Sequence, residues 1–344
     1  MAENITAGID NCVASCARVE RGQSVYIVTE EGVADAAVVE ALTESARDRG
    51  GDVHVVNGPA IPKDRPEEIP AAVLDAYGRA DVLFAHYPSL KREELHHHFP
   101  GEARVRVPNR ARTVALMSSD WAAFPYSVQR VLANTLDALS APGKSWRITS
   151  PNGTDVRGTF GARESTVAQA YFVEDEGGRA RRNFPGGVHS PVVAVATEGV
   201  IVADHIAKFG GMPESVRLEL KDGRVVSLEG GDPSMHARLN ATDGFIDSWH
   251  AGVNPKTIVP TARADNPVEW YSYSHCSPTI VHFHVGRSHD PVDVACFDQT
   301  IEIDGRTVYD EGKLTIWDEP EVEAAINAAR MADSMMVNTP MTTD

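Results

Sequence analysis

The sequence predicts an α/β half followed by an α+β half, and three observations carry that reading. Strand-like and helix-like runs alternate through residues 1–145; from residue 146 strand-like runs succeed one another across Asn-Gly, Asp-Gly and Gly-Gly turns; and 344 residues exceed one ordinary core. The expected domains are therefore 1–145, an open, mostly parallel sheet with helices, and 146–344, a mainly antiparallel β domain with helices. The boundary is expected near Ala141-Pro142-Gly143.

In the first half, SVYIVTE (24–30) is rich in β formers and lies between Gly22 and Gly32. ADAAVVEALTESARDRG (34–50) repeats apolar residues at helical spacing and stops at Gly50-Gly51. GDVHVVNG (51–58) reads as a second strand, AAVLDAYGRA (71–80) as a helix, DVLFAHYP (81–88) as a third strand and RTVALMSS (112–119) as a fourth. Such sheets often bind nucleotides, but VTEEGVAD follows the first strand in place of G-x-G-x-x-G, and no G-x-x-x-x-G-K-[ST] occurs.

In the second half, WRITSPNGTDVRGTF (146–160), PVVAVATEGVIVADHI (191–206), SVRLELKDGRVVSLEGG (215–231), PTIVHFHVG (278–286) and QTIEIDGRTVYDEGKL (299–314) read as strands and hairpins. PEVEAAINAARM (320–331) reads as a helix.

A net charge of −17 argues against nucleic acid, which needs clustered Lys and Arg. The densest basic run, GRARRNFPGG (178–187), reads as a solvated loop, and the histidines at 96–98 as the cap of a surface segment. No run approaches the roughly 20 apolar residues that span a bilayer, and the start has no signal-peptide pattern, so a cytoplasmic protein is expected. Four cysteines are too few for a disulfide framework; Cys12 and Cys16, four apart, are expected to be buried free thiols.

The candidate chemistry gathers in HCSPTIVHFHVGRSHDPVD (275–293), where His275, His282, His284 and His289 fall within fifteen positions. In a strand, His282 and His284 share one face while Val281, Phe283 and Val285 take the other, as in a sheet with one side in the core and one lining a cleft. Two imidazoles and one carboxylate with open positions suit non-haem Fe(II), and Asp293 follows the turn GRSHDP. A second candidate is DSWHAGVNP (247–255), where Asp247, Ser248 and His250 precede a turn closed by Asn254-Pro255.

These motifs, with ITSPNGTDV, NFPGGVHSP, TEGVIVAD, LKDGRVVSLEGG and VDVACFDQTIEIDG in the same order, resemble the metallo-aminopeptidases of the aminopeptidase T type. They also resemble the related Fe(II) enzyme 2,5-dihydroxypyridine 5,6-dioxygenase. The resemblance implies a metal in the C-terminal domain and a homodimer. It places His282 on a ligand position and Asp293 on the Asp of an H-x-D pair. It also marks two departures: Ser248 stands where the family has a Glu or His ligand, and Pro291 where it has the His of H-x-D. His250 and His289, each two residues from a missing ligand, are the expected replacements, with His284 a further candidate.

A two-metal hydrolase needs bridging carboxylates, so the lost Glu position favours a mononuclear site. The reading is an Fe(II) ring-cleaving dioxygenase acting on a small hydroxylated aromatic or heteroaromatic acid; zinc or manganese are the alternative ions. His189, Tyr271, Tyr273 and His275 are candidates to line its pocket, a histidine there acting as general base. Arg287 is a candidate partner for a substrate carboxylate. The alternatives are a metallo-hydrolase, or a scaffold that has lost its metal and only binds a ligand.

Overall fold

The computed structural model describes residues 4–61, 68–87, 103–161, 172–174, 180–191, 193, 197–207, 209–258, 274, 276–287 and 291–340. The chain forms two compact units: Met1–Ser127 with Tyr171–Gly186, and Val128–Ala170 with Gly187–Asp344. The division is thus discontinuous, where the sequence suggested a single cut near residue 142.

The first unit holds a six-stranded sheet in the order β2-β1-β3-β4-β8-β7. Its strands are β1 (Ser24–Glu30), β2 (Asp52–Gly58), β3 (Val82–His86), β4 (Val105–Pro108), β7 (Phe172–Glu174) and β8 (Ala180–Arg182). All pair in parallel except β7, which runs antiparallel to β8. Helices Ala36–Asp48 and Ala71–Arg79 fall in the predicted stretches. Val25 and Ile27 enter one apolar cluster and Val28 another, so successive β1 residues feed cores on both faces, as parallel sheets require.

Two expectations fail here for physical reasons. RTVALMSS is not the fourth strand: Thr113 caps a short helix, Val114–Met117, its side chain accepting the Leu116 N–H at 3.2 Å, and the alternating stretch VRVP supplies β4 instead. The described part of the basic run, 180–187, is not a solvated loop either, since Ala180–Arg182 forms β8 and Arg182 is buried. Its guanidinium donates at 3.0 Å to the carbonyls of Cys16 and Ala17, at the end of the π-helix Asn11–Ala17. A guanidinium satisfies the carbonyls that a helix terminus leaves open. Cys12 and Cys16 are buried free thiols, as expected, and burial pushes the Cys16 thiol up to about 12.

His86, at the carboxyl end of β3, is fully buried; its Nε2 faces the Asn109 amide at 3.4 Å. Burial, reinforced by the Arg112 guanidinium, pushes it down to about 3. An unfolded histidine takes up a proton near pH 6.5 while this one stays neutral, so stability is complete above that pH and falls as pH drops from 6.5 towards 3. One such proton is worth at most about 1.4 kcal/mol per pH unit. Urea unfolding at pH 7 and pH 4.5 should show His86→Leu losing roughly 2–3 kcal/mol less on acidification than the wild type; equal losses would contradict this origin of acid sensitivity.

The second unit is built on a twelve-stranded, antiparallel, curled sheet. Along its main path lie β18 (Lys313–Leu314), β17 (Arg306–Asp310), β16 (Thr300–Ile303), β5 (Ser145–Thr149), β6 (Asp155–Thr159), β10 (Glu198–Ile206), β15 (Val292–Phe297), β14 (Ile280–Val285), β13 (Ile246–Gly252) and β9 (Val188–His189). The hairpin of β11 (Gly210–Lys221) and β12 (Arg224–Glu229) branches from β10. The Asn-Gly and Asp-Gly signals fall in turns: β5 pairs β6, β11 pairs β12 and β16 pairs β17. Trp249 lies 6.1 Å from Trp146 and 6.2 Å from Phe160, ring centre to ring centre, and all three are buried. Among the described residues no helix is long and apolar enough to cross a membrane.

Candidate metal centre

The site is assembled by β13, β14 and β15. Antiparallel partners that oppose each other directly share a face, and the register pairs His250 with His282, His282 with Ala295, and His284 with Asp293. The alternation in IVHFHV then puts His282 and His284 together. Phe283, opposite Trp249, points to the other side and is fully buried. One face of the same strands is hydrophobic core and the other carries imidazole.

The three rings converge. His250 stands 4.0 Å from His284 and 4.8 Å from His282, and His282 stands 5.5 Å from His284, between ring centres. One nitrogen of each lies within 4.8 Å of the others. The Asp293 Oδ1 lies 3.4 Å from the His284 Nε2. Four donors at about 2.1 Å from a tetrahedral ion are separated by roughly 3.4 Å, so the His284–Asp293 pair already has that spacing. An imidazole pair at the 4.8 Å limit has to close by about 1.4 Å. A set of three nitrogens and one oxygen fits a first-row transition ion. His250 and His282 are buried, while His284 and Asp293 remain about a quarter exposed, so the cluster has a wet side.

A break in register between Ile246 and Trp249 shapes the β13 side. There the Ser248 hydroxyl lies 3.4 Å from the His284 Nδ1. On the far side of β13, Ser190 follows β9 and its Oγ lies 2.7 Å from the His250 Nε2. Neither serine contact was foreseen from sequence. Another missed residue is His205 on β10: it pairs with Ala295, which pairs with His282, so His205 extends the same face two strands further. The only signal for it was a histidine closing the strand pattern VIVADHI.

Other candidates go elsewhere. His189 pairs with Ala251 and so faces away from His250. It is buried edge-on against Trp249 at 5.5 Å, with its Nε2 3.0 Å from the Ser140 hydroxyl. That setting is core packing, not the lining of the histidine face. The Arg287 fork is engaged by Asp243, its Nε donating to Oδ2 at 2.8 Å, and the guanidinium lies 4.0 Å over the Phe245 ring. His96 to His98, Tyr271, Tyr273, His275 and His289 lie outside the described residues.

Neither a protein-family model nor a curated protein matches this chain. Solved structures do. The 2,5-dihydroxypyridine dioxygenase from Pseudomonas putida KT2440 is similar with a TM-score of 0.61 at 18% identity, over 92% of this chain and 98% of that one. Wild-type AmpT, aminopeptidase T, from Thermus thermophilus is similar with a TM-score of 0.55 at 15% identity, over 90% of this chain and 98% of that one. The chain therefore has an aminopeptidase T-like fold, as its motifs implied. The fold is shared by an oxygenase and a peptidase, so the reaction has to be argued from the site.

Proposed function

We propose that this chain is a metal-dependent enzyme, with His250, His282 and His284 and the adjacent Asp293 holding the ion, and His289 a further candidate ligand. Within that class we propose an Fe(II) ring-cleaving dioxygenase acting on a small hydroxylated aromatic or heteroaromatic acid. The observation that carries the reading is the convergence of three imidazoles on one sheet face with a carboxylate at its edge. Iron(II) in such a set would supply open positions for a ring hydroxyl and O₂. The chain's own part is to hold three imidazoles close together in a largely buried setting, with the His284–Asp293 edge left open to water.

The likeness to aminopeptidase T supports a second reading, a metallo-hydrolase. Two-ion hydrolysis relies on carboxylates that bridge ions roughly 3.5–4 Å apart, whereas one carboxylate accompanies the imidazoles among the described residues. Zinc or manganese would be the ion of that reading. The scaffold without metal, binding a ligand only, is the third. We carry the homodimer and the cytoplasmic location forward as parts of the same proposal.

The protein loaded with Fe(II) anaerobically and then given O₂ and a panel of dihydroxylated pyridine and benzene carboxylic acids should consume O₂ with one of them. Chelation should abolish the uptake. Turnover that resists chelation would sink the oxygenase, and amine release from a peptide in the absence of O₂ would replace it with the hydrolase.

A further inference from the structure

We infer that Ser190 is a positioning residue for the histidine centre: its hydroxyl oxygen accepts the Nε2–H of His250, which puts on Nδ1 the lone pair that would bind an ion. The inference rests on the metal reading above and deepens it.

The geometry comes from a short strand whose two sides do different work. Val188–His189 pairs with β13 so that His189 opposes Ala251, and the next residue, Ser190, falls beside His250. His189 is anchored in the core by Ser140 and Trp249, which fixes where Ser190 emerges. Ser190 and His250 are both buried, and their Oγ and Nε2 lie 2.7 Å apart. This is the only distance under 3 Å that the structure gives between a described hydroxyl and one of the three clustered imidazoles.

A histidine that ligates a metal through one nitrogen generally gives its other N–H to an outer partner, and that partner sets the tautomer and the ring orientation. A neutral imidazole has one donor and one acceptor nitrogen. If Nε2–H is given to Ser190, the lone pair is on Nδ1. On the opposite flank Ser248 lies nearest the His284 Nδ1, while the His284 Nε2 faces Asp293. The two rings would then bind through different nitrogens, Nδ1 of His250 and Nε2 of His284. Ser248 stands at a position the sequence resemblance gives to a ligand, so the hydroxyl there supports a ring that binds in its place.

Two measurements on the full chain test this. In the first, Co(II) is titrated in competition with a chromophoric chelator against wild type, Ser190→Ala and Ser190→Thr, with thermal midpoints of the metal-free proteins taken alongside. Ser190→Ala should bind roughly 10–100-fold more weakly, the usual cost of losing an outer partner. Ser190→Thr, which keeps the hydroxyl, should restore most of the affinity, and the metal-free midpoint of Ser190→Ala should fall only by the few degrees that one lost buried hydrogen bond costs. Affinity in Ser190→Ala equal to wild type would overturn the inference and leave the metal reading standing. In the second, long-range ¹H–¹⁵N correlation on ¹⁵N-histidine-labelled, metal-free protein reads the His250 tautomer directly. Nε2–H in wild type, lost in Ser190→Ala, is expected; Nδ1–H in wild type would overturn the inference. This arm holds even if wild type takes up no ion, a result that would count against the metal reading alone.

Discussion

His282→Ala is expected to lower the affinity for a divalent transition ion by more than about 100-fold, beyond the loss caused by removing an outer-shell partner. His282 is the central strand's contribution: it pairs with His250 on one side and Ala295 on the other, and it is buried. An alanine there removes a donor and leaves a pocket lined by two imidazoles whose rings stand 4.0 Å apart. His284→Ala should cost less, because that ring lies at the exposed edge of the cluster. Chelator competition at one pH for both variants checks the order; equal, small losses would mean that the cluster is a hydrogen-bonded strand feature and not a binding site.

Gly252→Ala is expected to destabilise the second unit by about 3 kcal/mol or more, the upper end of the cost of overpacking. A Cβ at this position would overlap the backbone carbonyl of Cys276, which a side-chain rotation cannot relieve. The same glycine's carbonyl accepts the buried Tyr309 hydroxyl at 3.0 Å, so the strand end is held from a second direction. His250 lies two residues before it, and a displaced strand end would move that ring from Ser190 and His282. Urea unfolding should show the midpoint falling, or the variant failing to accumulate as folded protein. A midpoint equal to wild type would show that the backbones separate at little cost.

Local patterns made most of the fold legible. β1 was bounded correctly by Gly22 and Gly32, and the face division of IVHFHV followed from a period of two alone. The failures came where tertiary partners override local pattern. VALM is apolar enough for a strand, yet the Thr113 cap turns it into a helix; Arg182 sits in a basic run, yet helix-end carbonyls draw it inside. Within the site, His282, His284 and Asp293 were legible because strand alternation and a short hairpin bring them together. His250 was legible only as a nearby histidine in a turn motif, since its meeting with His282 depends on the register of two strands about thirty residues apart in sequence. His189 looked equivalent in sequence and faces the other way, because a shift of one residue in a strand exchanges faces. Ser190 and His205 needed the register as well.

The central claim, that the histidine face holds a metal ion, is tested most directly by elemental analysis of untagged protein purified without added metal, as wild type and as His282→Ala. The account predicts about one iron per chain in wild type, in keeping with a mononuclear set, and its loss in the variant. No transition metal in either protein, after Fe(II) has been offered anaerobically and excess removed, would contradict it.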